Sequence, residues 1–264
     1  MPLKIHTDFA ESCVEILKQD NRICGIAAGG SWIDDNMDEY SDIDFVIVVE
    51  AEDFPNVMKE RKEIAEKLGD LLASFTGEHV GEPRLIVCLY DNPLLHVDLK
   101  FVALPDISER IENPVILWEK DDLLSKTLTK SQASFPLPDM QWIEDRFWIW
   151  THYLATKIGR GELFELIEGI SFIRVSVLGP LVKVRNGQLP RGMRYIEKEA
   201  ADEVPRFLDT LAKHNKKDCI KALESAVQFY IELRDDIDNK DITKNTKAET
   251  AALQYFNQIK QENL

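Results

Sequence analysis

Gly29-Gly30-Ser31, followed after ten residues by Asp42-Ile43-Asp44, is the pattern that most narrows what this chain can fold into. The glycine turn closes one apolar run, residues 23–28, and the aspartates open another, residues 43–49. Alternate side chains share a face of a β-strand, so Asp42 and Asp44 point together while Ile43 and Phe45 point into a core. Glycine lets a backbone approach a bound group closely, and successive N–H groups at such a turn form a nest for an anion. The Ser31 hydroxyl adds a donor. Two aspartates on one face repel each other unless a cation sits between them. Together, Gly29, Gly30, Ser31, Asp42 and Asp44 supply what is needed to hold Mg²⁺ and the phosphates of a nucleoside triphosphate, because Mg²⁺ combines one or two carboxylates with substrate phosphates and water.

A third carboxylate lies further on. Over residues 94–102, Leu95, Val97, Leu99 and Phe101 share one face, and His96, Asp98 and Lys100 share the other. An adjacent antiparallel strand would bring Asp98 alongside Asp42 and Asp44, where it completes a metal site or takes a proton from an incoming hydroxyl. Lys100 is placed to meet a phosphate, although a solvated strand face is the favoured reading of His96 and Lys100.

The apolar spacing divides the chain into two kinds of sequence. In the first half it predicts a helix over 7–19, strands over 22–28 and 42–50, a helix over 54–75, and strands over 84–90 and 94–104. Asp91-Asn92-Pro93 makes the turn between the last two. Residues 121–139 are rich in Ser, Thr and Pro with little apolar period, and are read as a linker between a domain at 1–120 and another at 140–264. Beyond the linker, helices are expected over 142–158, 162–185, 202–214, 217–236 and 248–260. Trp142, Phe147, Trp148, Trp150 and Tyr153 are read mainly as helix packing, with one or two rings available to line an acceptor pocket.

Composition sets bounds on partners and place. A net charge of −15 over 264 residues repels a polyphosphate backbone, so nucleic acid is not expected as a partner. Such a surface attracts a polycation or tolerates a small neutral substrate, a small-molecule acceptor that is cationic being one case, and acidity that serves solubility alone explains the charge equally well. There is no basic segment followed by an apolar stretch at the N-terminus, and no apolar run of about 18 residues that would span a bilayer. No membrane partner is therefore expected. The four cysteines are scattered without metal-ligand spacing, which suits reduced thiols in the cytoplasm. A homodimer is compatible with the sequence.

With these residues in view, the chain resembles the nucleotidyltransferase superfamily with the polymerase-β-like fold. Ala28-Gly29-Gly30-Ser31 and Asp42-Ile43-Asp44-Phe45 match its pattern, and Val97-Asp98-Leu99 matches the strand of its third carboxylate. Within that superfamily it is similar to bacterial lincosamide and aminoglycoside nucleotidyltransferases. Lys157-Ile158-Gly159-Arg160-Gly161-Glu162 resembles the Arg-Gly-Glu turn between two helices of that group.

The resemblance implies an α+β fold: an N-terminal α/β catalytic domain with a mixed sheet, then a C-terminal all-α bundle that binds substrate, with the site in the cleft between them. It implies transfer of a nucleoside monophosphate, AMP from ATP being the expected case, to a hydroxyl of a small antibiotic-like molecule, with Mg²⁺ held by Asp42, Asp44 and Asp98. Transfer to a protein or tRNA, and a catalytically silent nucleotide-binding relative, are the alternatives. The silent reading is prompted by residues 32–40, where relatives often carry a Gly and a base but this chain has Asp34, Asp35, Asp38 and Glu39 and no base.

Overall fold

The computed structural model describes residues 2–34, 36–237 and 242–263. It divides into two compact units, Met1–Phe135 and Pro136–Leu264. The fold class is α+β.

The first unit runs α1 (Lys4–Leu17), β1 (Ile23–Ala28), a 3-10 turn (Gly30–Trp32), β2 (Ile43–Val49), α2 (Phe54–Glu66), β3 (Asp70–Gly77), β4 (Glu82–Asp91), β5 (Leu95–Ala103), a 3-10 turn (Leu104–Ser108), β6 (Val115–Glu119) and α3 (Leu123–Leu128). Its six strands form one mixed sheet in the order β3-β4-β5-β2-β1-β6. All neighbours are antiparallel except β2 and β5, which run parallel. The antiparallel approach of the Asp98 strand expected from sequence is therefore corrected. After β2 the chain crosses over through α2 and the β3–β4 hairpin before β5 returns beside β2, and a crossover of this length delivers a parallel neighbour.

The sheet's two faces are unequal. One is covered by α1 and α2, with Cys13, Leu17, Val57 and Ala65 packed on Phe45, Ile47, Leu99 and Phe101. On the other face a smaller cluster forms. There, Ile107 of the second 3-10 turn and Leu124 of α3 pack on Cys24, Ala27, Val48 and Val102. A methyl at Gly25 would overlap Leu124, so this glycine is what lets α3 lie so close to β1. The N-terminal end of β2, where the aspartates lie, stands outside that cluster.

Two further expectations are corrected in this unit. The helix predicted over 54–75 stops at Glu66, and 70–77 is the edge strand β3. Leu68 closes the buried stripe of α2, Gly69 is a poor helix residue, and pairing with β4 then takes over. Leu72 and Phe75 on β3 are more than half exposed, which is why their spacing imitates a helix. The sequence reading also omits β6, a five-residue edge strand on the far side of β1, and α3, which falls within the Ser/Thr/Pro-rich stretch.

Among its described residues the second unit is all helical: α4 (Met140–Arg160), α5 (Leu163–Ile173), a π-helical turn (Arg174–Leu178), α6 (Gly179–Arg185), α7 (Ile196–Glu199), α8 (Val204–Asp209), α9 (Lys216–Asp236) and α10 (Thr246–Asn263). Asp139 caps α4 by accepting from the Trp142 amide at 2.9 Å, and Asn215 caps α9 through the Asp218 amide at 2.9 Å. The Asn215 cap explains why the helix expected over 202–214 is cut short, since the chain must leave the helix to enter the cap. At the other end of α4, Gly161 adopts the left-handed conformation. Lys157 meets Glu162 at 2.6 Å there, fixing the turn between α4 and α5.

Phe147 stacks on Tyr230 with ring centroids 3.7 Å apart, and Trp148 meets the same ring edge-on. These are core residues, whereas Trp142 and Tyr153 are exposed on the outer side of α4. No helix among the described residues is long and apolar enough to cross a membrane. The four cysteines are buried free thiols; burial pushes Cys13 up to about 12 and Cys88 up to about 11.

Candidate active site

The alternation expected for β2 is present. Ile43 and Phe45 are buried, while Asp42 and Asp44 are half-buried on the opposite face. Register then brings in the third carboxylate. Asp44 pairs directly with Asp98 across the parallel β2–β5 ladder, with Ile43 opposite Val97 and Phe45 opposite Leu99. Neighbouring strands lie about 4.8 Å apart, so Asp44 and Asp98 are nearest neighbours on one face.

The glycine turn closes over this row. The Gly29 amide donates to the Asp44 carbonyl at 2.8 Å, which carries the β1–β2 pairing one residue past the end of β1. Gly30 has φ of +58°, and a methyl there would overlap the Asp44 carboxylate, which lies against its Cα. Both constraints act on one residue. Gly30→Ala should therefore strain the turn by roughly 1–2 kcal/mol and displace Asp44 as well. A thermal midpoint lowered by several degrees together with a loss of adenylyl transfer is the expected result. Wild-type activity in that variant would show that neither the turn nor Asp44 matters.

The acidic segment after the turn is turned outward. Asp34, Asp38 and Glu39 are exposed, and Asp35 lies outside the described residues. Asp38 accepts from the Tyr40 amide and the Ser41 hydroxyl, each at 3.0 Å, so it shapes the turn that delivers the chain to Asp42. Exposed carboxylates are screened by water and salt, which weakens their opposition to a nearby triphosphate.

The acidity of the Asp98 carboxyl is perturbed. Burial pushes its carboxyl above the ordinary aspartate value and the negative charge of Asp42 adds to the push, while His96, 3.1 Å away through Nε2, works against both. Asp42 and Asp98 thus feel each other's charge. Lys100 sits on the same face of β5, but its ammonium is 2.9 Å from Glu82. Glu82 is also paired with Arg84 at 2.7 Å, and these two cations hold Glu82 at about 2 despite its partial burial.

Among the described residues, no three His, Cys, Asp or Glu side chains stand close enough to enclose a metal ion. The donor chemistry nevertheless fits Mg²⁺. The row consists of carboxylate oxygens, the repulsion between Asp42 and Asp98 is of the kind a dication relieves, and Mg²⁺ needs only one or two protein carboxylates when phosphates complete its shell.

Sequence reasoning missed Glu112. This residue, between the second 3-10 turn and β6, accepts a hydrogen bond from the Gly30 amide at 2.8 Å. The only sequence signal for it is its place just before β6, an element that the periodicity did not disclose.

Comparison with curated proteins gives no match. Among solved structures, an aminoglycoside 6-adenyltransferase from Bacillus subtilis shares 14% identity and a TM-score of 0.41, covering 95% of this chain and 97% of its own. A nucleotidyltransferase-like protein from Exiguobacterium sibiricum shares 14% identity and a TM-score of 0.30, covering 97% of this chain and 78% of its own. A spectinomycin adenyltransferase from Enterococcus faecialis, solved with ATP and spectinomycin, shares 11% identity and a TM-score of 0.30, covering 96% of this chain and 99% of its own. Likenesses this remote carry no residue role across. The profile of the streptomycin adenylyltransferase family matches residues 3–259, nearly the whole sequence. The chain belongs to the streptomycin adenylyltransferase family.

Proposed function

We propose that the protein transfers AMP from ATP to a hydroxyl group of a small cationic antibiotic of the aminoglycoside or aminocyclitol kind. The observation that carries this reading is the register of β2 and β5, which sets Asp44 opposite Asp98 directly beside the Gly29–Gly30–Ser31 turn. Family membership supports adenylyl transfer as the reaction, and the net charge of −15 supports a cationic acceptor.

In this mechanism the ATP phosphates are seated on the Gly30 amide and the Ser31 hydroxyl, with Gly29 giving the backbone room. Lys100 adds positive charge to that face through an ammonium shared with Glu82. Asp98 accepts the proton of the acceptor hydroxyl, for which a carboxyl raised by burial is a better base than an ordinary aspartate. The acceptor oxygen then attacks the α-phosphorus, its bond to phosphorus forms as the bond to the bridging oxygen breaks, and pyrophosphate leaves. Asp42, Asp44 and Asp98 are the residues that would hold Mg²⁺, which would supply charge neutralisation at the phosphates. Most of the acceleration in such a site comes from alignment and charge.

A mass-spectrometric screen tests the proposal. The protein is incubated with ATP, Mg²⁺ and a panel containing streptomycin, spectinomycin and other aminoglycosides. The expected result is one panel member gaining a single AMP residue with release of pyrophosphate. A panel left unmodified by protein that binds ATP would overturn the acceptor class.

A further inference from the structure

The backbone donor to which the proposed function assigns a phosphate already holds an anion. The Gly30 N–H points at Oε1 of Glu112, 2.8 Å away. The same oxygen would stand 3.3 Å from a methyl placed on Gly29, so the carboxylate lies over both glycines of the turn.

Glu112 is held there from both sides. Two residues earlier, the Arg110 guanidinium clamps the segment to the end of α3, donating to the Ser131 hydroxyl at 2.6 Å, the Ser131 carbonyl at 2.9 Å and the Leu128 carbonyl at 3.1 Å. Its Nε also reaches the Asn113 side chain at 2.8 Å. Three residues after Glu112, Val115 pairs with Ala28, the last residue of β1 before the glycine turn. The chain is thus fixed on either side of Glu112, and the fold returns it to the mouth of the turn.

A carboxylate and a phosphate oxygen are both anionic acceptors, and one N–H directs its bond to one of them at a time. We infer that Glu112 is an autoinhibitory plug: its carboxylate occupies the phosphate seat on the glycine turn, and a nucleotide must displace it to bind. The inference rests on the proposed nucleotide site and deepens it by naming the group that tunes its affinity. The apparent dissociation constant equals the intrinsic one divided by the fraction of molecules whose seat is open. A plug that keeps nine molecules in ten closed therefore weakens ATP binding roughly tenfold.

The test compares wild type with Glu112→Ala and Glu112→Gln in calorimetric titrations with ATP and, separately, with tripolyphosphate, each with Mg²⁺. Gln keeps the size and an acceptor oxygen but removes the charge, and it covers the case in which Ala destabilises the loop. Both probes should bind Glu112→Ala roughly tenfold more tightly than wild type, and Glu112→Gln at least severalfold more tightly. Wild type and both variants binding ATP equally would overturn the plug and leave the nucleotide site standing. Weaker binding by folded variants would make Glu112 a strut of the turn, which also overturns the plug. If neither wild type nor the variants bind ATP at millimolar concentration, the nucleotide site fails and the plug fails with it.

Discussion

Asp98→Asn lowers the turnover of adenylyl transfer by roughly 10²–10⁴-fold, the range that a positioned general base contributes. The variant should fold as well as wild type or better. Burial and the Asp42 charge both work against an ionised Asp98, so a neutral amide of the same shape relieves a cost that the wild-type fold carries. A rate that collapses while the thermal midpoint holds or rises separates a chemical role from a structural one. Asp42→Asn and Asp44→Asn should each abolish turnover in folded protein, since either change removes one of the carboxylates proposed to hold Mg²⁺ against the phosphates. Circular dichroism and single-turnover assays with ATP check all three. Wild-type rates in both the Asp42 and Asp44 variants would show that this row of carboxylates is not where transfer occurs.

The parts of this site that were legible in the sequence are those written in local periodicity. Alternation over 42–49 put Asp42 and Asp44 on the face away from Ile43 and Phe45, and alternation over 94–102 did the same for Asp98; burial in the fold follows that pattern on both strands. The direction of one strand against the other is not a local property. It depends on the crossover through α2 and the β3–β4 hairpin, and the wrong element at 70–77 concealed that hairpin. Those eight residues, Asp70–Gly77, lie at a sheet edge with Leu72 and Phe75 in solvent, so the two-residue period that marks a half-buried strand is absent.

Glu112 was illegible for a different reason. Its contact with Gly30 spans 82 positions of sequence and is made by a segment with no regular structure, positioned by Arg110 and by the start of β6. No motif encodes that proximity. The acidic gap shows the converse, a feature plain in the sequence whose meaning depended on orientation. Asp34, Asp38 and Glu39 face water, so the motive for reading the chain as silent weakens without any change in composition.

Glu144→Ala should destabilise the helical unit by about 3–5 kcal/mol, the usual penalty for stripping one partner from a buried ion pair. Glu144 is fully buried in the second turn of α4. Its carboxylate accepts from the Tyr230 hydroxyl at 2.6 Å, the Asn245 amide at 2.8 Å and the Trp148 indole at 3.0 Å, and the Arg234 guanidinium lies 3.3 Å away. Burial alone would raise its carboxyl, but these donors and the Arg234 charge outweigh burial and hold it below the ordinary glutamate value. Stability from Glu144 is therefore present above the ordinary glutamate value and is lost as the pH falls through its lowered native one. Alanine leaves three donors without an acceptor. Arg234 keeps Glu249 at 2.9 Å and Asp235 at 3.0 Å, which places the loss below that of an isolated buried cation. Glu144→Gln is the sharper probe. It preserves volume but sets an NH₂ where an acceptor is needed, so it should recover little of the loss. Urea unfolding followed by tryptophan fluorescence measures both, because Trp148 is itself bonded to Glu144. Losses below about 1 kcal/mol in both variants would mean that aromatic packing of Phe147, Trp148 and Tyr230 holds α4 and α9 together without the carboxylate.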